Sequence, residues 1–411
     1  MDNSIEWIGE VPDGWHLNRI QNCLQEIKVK NVPIQTTQVL SLVKDKGVML
    51  YEEKGNQGNK AKEDVSEYKL AYPNTLIVNS MNILIGAVGV SEYFGCVSPV
   101  YYVFKEKEDS DIRFINYIFN TREFQKELRK YANGILEIRL RVSASDIFKR
   151  LIAIPSKVVQ KKISDFLDAK CKEIDDLVCE IEEQIEILED YKRAIITETL
   201  FTEKRTCTKM KYIGSFQNGM NFSSKISDVE IPFLGVGDFQ NNMVLSGKES
   251  FSSIMFDGVI PPSALLKNND IVFVRSNGSK SLVGRSVLVN NIDFDLTYSG
   301  FCIRFRKKRK DFDSKYILYA MWSNKFRETI DEFTRGTNIT NVSQDMLKNV
   351  MVPEITLSEQ REIVAKLDNC CLEVDAAISE KTNQRDILNE YKKSLIYEYV
   401  TGKKEVPADV G

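Results

Sequence analysis

Apolar residues recur at alternating steps of four and three along Leu167, Cys171, Ile174, Val178, Ile181, Ile185 and Leu188. Such spacing keeps one apolar stripe on a helix and predicts a coiled-coil seam. The same spacing returns at Leu367, Cys371, Val374, Ile378, Lys381, Arg385 and Leu388. Lys381 and Arg385 interrupt that second stripe; their long stems can lie along apolar surface, meet acidic partners, or mark where helices part. Neither stretch holds glycine or proline between about 158 and 200 or between about 357 and 400. Ser358, followed by Glu359 and Gln360, offers a helix start, with Thr356 as a second capping residue. A helix of about 42 residues would be roughly 63 Å long. One apolar stripe does not hold such a rod alone, and the available partner for each copy is the other. A whole domain connects them, so the second can return antiparallel to the first.

The wording around the seams repeats as well. Gln160-Lys-Lys-Ile163 returns as Gln360-Arg-Glu-Ile363, and Ile187-Leu-Glu-Asp-Tyr-Lys192 as Ile387-Leu-Asn-Glu-Tyr-Lys392. Each copy follows an apolar stretch ending in proline, Ile152–Pro155 and Val350–Pro353, and ends in a similar tail, Thr202–Lys204 and Thr401–Lys403. The period is too long for a solenoid. It implies a duplicated half-molecule with pseudo-two-fold symmetry, facing something that itself has two similar halves.

The segments before each helix read as mixed globular domains. In the first, Thr75–Asn79 and Val100–Phe104 are predicted strands from their β-branched and aromatic content. Phe114–Tyr131 is a predicted helix with Phe114, Ile115, Ile118, Phe119 and Leu128 on one face. In the second, Asp270–Arg275 and Gly300–Phe305 are predicted strands and Tyr316–Phe333 the matching helix. Both domains then pass a glycine turn (Asn133-Gly134, Arg335-Gly336) and a polar stretch (Val142-Ser143, Val342-Ser343) before the apolar-proline strand. The predicted class is α+β: two mixed α/β domains separated by a pair of long antiparallel coiled-coil helices. The boundaries are 1–155 for the first domain, 156–204 for the first helix, 205–353 for the second domain, 354–404 for the second helix and 405–411 for a tail.

Composition narrows the chemistry. A single histidine, His16, removes most histidine-based triads, zinc sites and general bases. The eight cysteines form no Cys-x-x-Cys pairs and read as reduced thiols. No run of eighteen apolar residues is present and Met1–Glu6 does not open a secretion signal, so a cytoplasmic chain is expected. The net charge of −3 is unevenly spread. Residues 156–204 carry 8 basic and 13 acidic side chains, whereas 209–353 carry 19 and 14. The basic excess between the helices permits phosphate contact there, most sharply at Lys307–Lys310.

At this point the chain resembles a specificity subunit of a type I restriction-modification system. The resemblance runs through Trp7–Trp15, Val78–Asn82, Gly86–Gly89, Gly95–Tyr101, Ile231–Asp238, Asp270–Ser276, Pro353, Glu359–Ile363 and Thr401–Lys403, in that order. Lys161-Lys162 departs from the Arg361-Glu362 pair of the second copy. The family implies two target-recognition domains held apart by two antiparallel helices. Each domain would read one half of an asymmetric bipartite double-stranded DNA sequence. The helices would set the unread spacer and dock modification subunits. Those subunits would bind S-adenosylmethionine and methylate adenine, and restriction subunits would use ATP and Mg. This chain itself would carry no cofactor, no metal and no catalysis. Two readers on one face of B-DNA want a separation near one helical turn, roughly 34 Å, or a multiple.

Base reading is expected from Asn79, Ser80, Met81 and Asn82, just beyond a strand end of the first domain. Arg275, Ser276, Asn277 and Lys280 hold the corresponding place in the second. Arginine, asparagine and serine can address base edges. Arg139, Arg141, Asn338 and Asn341 flank the late glycine turns. Lys307 and Lys308 are better suited to phosphate. The expected helix-pair interface is Leu167, Ile174, Val178, Ile181, Ile185 and Leu188 against Leu367, Val374, Ile378 and Leu388.

Catalytic decoys are weak. Phe233-Leu-Gly-Val-Gly237 looks like an S-adenosylmethionine turn, but no Asn/Asp-Pro-Pro-Tyr/Phe motif accompanies it, since Pro261-Pro262 is followed by Ser263. Glu52-Glu-Lys54 and Glu67-Tyr-Lys69 lack a supporting aspartate on a clear strand, and Gly278-Ser-Lys-Ser281 has the wrong order for a phosphate loop. A coiled-coil scaffold without DNA binding is the alternative; it leaves the duplicated domains without a purpose.

Overall fold

A computed structural model describes residues 4–44, 46–54, 61–134, 140–221, 230–239, 243–256, 260–279, 281–334 and 341–407. The chain divides into two compact units, Met1–Ile181 with Gln384–Gly411, and Glu182–Asn383. Each unit holds one globular domain and part of each long helix.

In unit 1 the strands β1 (His16–Arg19), β2 (Leu24–Glu26), β3 (Thr75–Asn79), β4 (Val88–Ser91) and β5 (Tyr101–Glu106) come first. Helices α1 (Ile112–Phe119), α2 (Arg122–Arg129) and α3 (Ala144–Phe148), strand β6 (Leu151–Ile154) and the long helix α4 (Lys157–Leu200) follow. The main sheet has the order β2-β5-β3-β4 and is antiparallel throughout. β1 and β6 form a separate antiparallel pair that hands the chain to α4.

Unit 2 repeats the frame with β7 (Cys207–Lys209), β8 (Gly214–Asn218), β9 (Val244–Leu245), β10 (Ile271–Val274), β11 (Ser286–Val289) and β12 (Cys302–Lys307). Helices α5 (Ser314–Met321), α6 (Asn324–Thr334) and α7 (Gln344–Lys348), strand β13 (Met351–Pro353) and the second long helix α8 (Leu357–Val400) complete it. Its sheet has five strands in the order β8-β12-β10-β11-β9, with β9 parallel to β11. β7 and β13 are the antiparallel pair that feeds α8. The frame is thus duplicated while the sheets differ.

The long helices run 44 residues each, roughly 66 Å at 1.5 Å per residue. Thr356 starts α8: its hydroxyl accepts from the Glu359 N–H at 3.3 Å, and the Glu359 carboxylate accepts from the Thr356 N–H at 3.0 Å. Ser358 therefore lies inside the first turn. This reciprocal pairing satisfies two helix-end donors.

Within each unit the two helices pack side by side. In unit 1, buried Leu167 and Ile174 and half-buried Val178 share a core with Leu388, Leu395 and Tyr399. Phe166 lies 4.7 Å from Tyr399 between ring centres, and Lys392 reaches Asp175 at 2.6 Å, so one helix number rises as the other falls. In unit 2, Ile196 and Leu200 share a core with Leu367 and Cys371, and Lys192 pairs with Asp375 at 2.6 Å. Val374 is buried; Ile181, Ile185, Leu188 and Ile378 are half-buried. Lys381 and Arg385 are half-buried too, and Arg385 turns to its neighbour Asp386 at 2.8 Å.

Equivalent joints fasten each domain to its helix. The buried Gln160 side chain accepts from the Asp111 N–H at 3.0 Å and donates to the carbonyls of Asp109 and Pro155. Gln360 does the same with the Asp313 N–H at 2.8 Å and the carbonyls of Asp311 and Ile355. The hydroxyls of Tyr117 and Tyr319 donate at 2.6 Å to Asp168 and Asp368, which also hold Arg113 and Lys315. Burial, then the bond to the carboxylate, pushes both phenols above their ordinary value. Ser143 and Ser343 cap α3 and α7.

The helices predicted over 114–131 and 316–333 are each two. Thr121 accepts from the Phe124 N–H and Ser323 from the Phe326 N–H, starting new helices after sharp turns. A side-chain oxygen that satisfies an early N–H makes such a restart favourable.

Candidate nucleic-acid interface

The clearest cluster lies at one end of the unit 2 sheet. The chain leaves β10 at Arg275, whose N–H donates to the Phe301 carbonyl at 2.8 Å, extending the ladder with β12. The Arg275 carbonyl accepts from the Val342 N–H at 2.8 Å, and Ser276 bridges to Asn341. Gln344, in the first turn of α7, donates to the Asn218 side chain at 2.9 Å at the end of β8. Thus Arg275, Ser276, Asn341, Gln344 and Asn218, from three separate parts of the sequence, meet at one sheet end. Arg275 and Ser276 are half-buried and Asn341 is exposed. Asn277 accepts from the Ser279 N–H at 2.8 Å and shapes the turn that follows. Lys280 and Asn338 lie outside the described residues.

Unit 1 uses the same construction. Val142 N–H donates to the Ser80 carbonyl at 3.1 Å, beyond the end of β3. Arg141, exposed, exchanges two backbone bonds with Asn133 at 2.8 and 2.9 Å. Asn82 is exposed and Met81 half-buried. Asn79 and Ser80 are only 5% and 4% exposed. The Asn79 side chain accepts from the Met81 N–H at 3.1 Å, so it builds the turn and does not face solvent. Arg139 lies outside the described residues.

The basic run is elsewhere. β12 begins at the cluster and ends at Lys307, five residues and so roughly 17 Å away. There the Lys307 ammonium donates to the Phe312 carbonyl, and Arg309 pairs with Asp311 and with Glu354 at 2.7 Å. Lys308 and Lys310 remain exposed. The structure does not bring this run to the end that carries Arg275.

Sequence reasoning missed Asn218 and Gln344. Their signal is faint: one polar residue at a strand end and one after a capping serine. What the cluster presents is guanidinium, amide and hydroxyl groups on rigid strand ends. Cys302 beside it is a buried thiol pushed up to about 12 by burial, so it stays protonated. Among the described residues, no group of three or more His, Cys, Asp or Glu side chains is placed to hold a metal ion. Among them also, no helix is long and apolar enough to cross a membrane.

Comparison with known proteins gives the same direction. Residues 213–385 match the type I restriction modification DNA specificity domain. The chain is 29% identical over 152 residues to the StySPI type I restriction enzyme specificity subunit of Salmonella potsdam, covering 36% of this chain and 32% of that protein. It is 23% identical over 282 residues to the MjaVIII specificity subunit of Methanocaldococcus jannaschii, covering 63% and 64%. The first match therefore spans about a third of the relative's length. A solved chain from work on complex assembly and conformational transition of the type I R-M system shares the fold, with a TM-score of 0.65 at 13% identity over 96% of this chain and 100% of that one. Residues 213–385 and the aligned stretches are thus similar to type I restriction-modification specificity subunits, and the chain shares the fold of the solved one.

Proposed function

We propose that this chain is the non-catalytic, DNA-reading subunit of a type I restriction-modification assembly, with each unit reading one half of a bipartite double-stranded target. One observation carries the proposal. Each unit brings a strand end and a distant polar stretch together at one end of its sheet, Ser80 with Val142 and Arg275 with Val342, on a duplicated frame whose sheets differ. Two different readers on one scaffold suit two different half-sites. Arg275, Asn341, Asn82 and Arg141 are the base-edge candidates, and Lys308 a phosphate contact.

In this reading the paired helices set the unread spacer and dock modification subunits. Those subunits hold S-adenosylmethionine and methylate adenine; restriction subunits supply ATP- and Mg-dependent steps. This chain contributes position and sequence choice. The test is co-expression with type I modification subunits, followed by mapping of methylated adenines across the host genome. A split motif with an unread gap is expected. A continuous motif, or no new methylation together with no retention on DNA at low salt, refutes the proposal.

A further inference from the structure

The unit 2 cluster carries one side chain whose chemistry its polar neighbours do not explain. Phe301 is 58% exposed. Single exposed apolar residues are ordinary on protein surfaces, but this one is fixed on both sides. Its N–H donates to the Ser299 hydroxyl at 3.1 Å, and its carbonyl accepts from the Arg275 N–H at 2.8 Å. Behind it two backbones meet at glycines. A methyl group on Gly300 would stand 2.0 Å from the Asn221 side-chain oxygen, and one on Gly219 would stand 2.1 Å from the Ser299 carbonyl oxygen. The Gly300 N–H closes this contact by donating to the Met220 carbonyl at 2.7 Å. This constraint fixes the Phe301 backbone across the ladder from Arg275, and its ring is exposed.

A phenyl ring offers no donor or acceptor, so it recognises only an apolar feature. In the major groove the apolar feature of a base edge is the thymine C5-methyl group. We propose that Phe301 is a specificity-determining residue that packs on a thymine methyl in the half-site read by unit 2, next to the base edge addressed by Arg275. This rests on the DNA-reading role proposed for the chain. It makes one base-pair preference depend on a methyl group and not on a hydrogen bond.

The experiment uses the full-length chain co-purified with its modification subunits. Sequences bound from a random duplex pool define the two half-sites. Each thymine of the second half-site is then replaced singly by deoxyuridine, which lacks only the methyl group. One replacement should weaken wild-type binding roughly fourfold, the factor that burying one methyl carries. Phe301→Ala should bind thymine and deoxyuridine duplexes equally, whereas Phe301→Leu should keep part of the difference. Thermal unfolding of both variants should match wild type, since the ring is exposed. A second half-site without thymine overturns the assignment of Phe301 and leaves the DNA-reading role standing. So does indifference of the wild type to every replacement, or a Phe301→Ala variant that still discriminates. A pool that yields no enriched sequence overturns the role itself.

Discussion

Replacing Gln360 by Met tests whether the buried amide joint holds the unit 2 domain to α8. The side chain is fully buried, so its hydrogen bonds have no water to fall back on. Met keeps the length and apolar stem but removes three bonds: one from the Asp313 N–H and two to the carbonyls of Asp311 and Ile355. At about 1 kcal/mol for each bond, the loss is about 3 kcal/mol, and the stranded Asp313 N–H adds to it. For a unit of about 200 residues, 1 kcal/mol moves the melting temperature by roughly 2–4 °C, so a fall of roughly 6–12 °C is expected. Calorimetry and urea unfolding of Q360M report it. Q160M, at the equivalent joint of unit 1, should show a loss of the same size. A loss below about 1 kcal/mol in both variants would refute the joint as a source of stability.

Three further outcomes follow from the same features. Inserting one helical turn within 175–185 should change the length of the unread gap or abolish activity while both half-site sequences stay the same; altered half-sites in methylation maps would break the spacer model. Arg275→Ala should relax selection at one base pair of the second half-site by about 1–3 kcal/mol and leave the first half-site unchanged, as read by competition binding. Stability should fall at alkaline pH. Tyr117 and Tyr319 have folded values raised above ordinary by burial and their bonds to Asp168 and Asp368. Their stabilisation is complete below the unfolded tyrosine value of about 10 and declines as pH rises above it. Y117F combined with Y319F should flatten that decline in a pH series of urea unfolding, and an unchanged slope would count against it.

The long helices were legible to within about four residues at each end, Lys157–Leu200 against 156–204 and Leu357–Val400 against 354–404, because 4-3 spacing without glycine or proline is a local signal. Strand β3 was equally plain from its β-branched run. The breaks at Thr121 and Ser323 were not, since the apolar faces of the paired helices continue across each turn and the cap is one hydroxyl. At the sheet ends, sequence reading named both Arg275 and Asn341. It could not show that they meet, because the contact joins residues some sixty-five positions apart. Asn79 and Ser80 looked like solvent-facing polar residues. Ser80 meets Val142 through its carbonyl, and Asn79 pairs with Tyr101 of β5 and bonds to Ala87, all non-local or turn contacts that the sequence does not display. Phe301 was absorbed into a predicted strand, where an aromatic residue needs no explanation.

The joints at Gln160 and Gln360 have an evolutionary consequence. Each grips backbone groups, namely carbonyls and an N–H, and is indifferent to the identity of the residues that carry them. A gene segment encoding a whole domain can therefore be exchanged for another at these seams without redesigning the grip. Under the DNA-reading role proposed above, such a cassette exchange would give a lineage a new DNA address in a single recombination event.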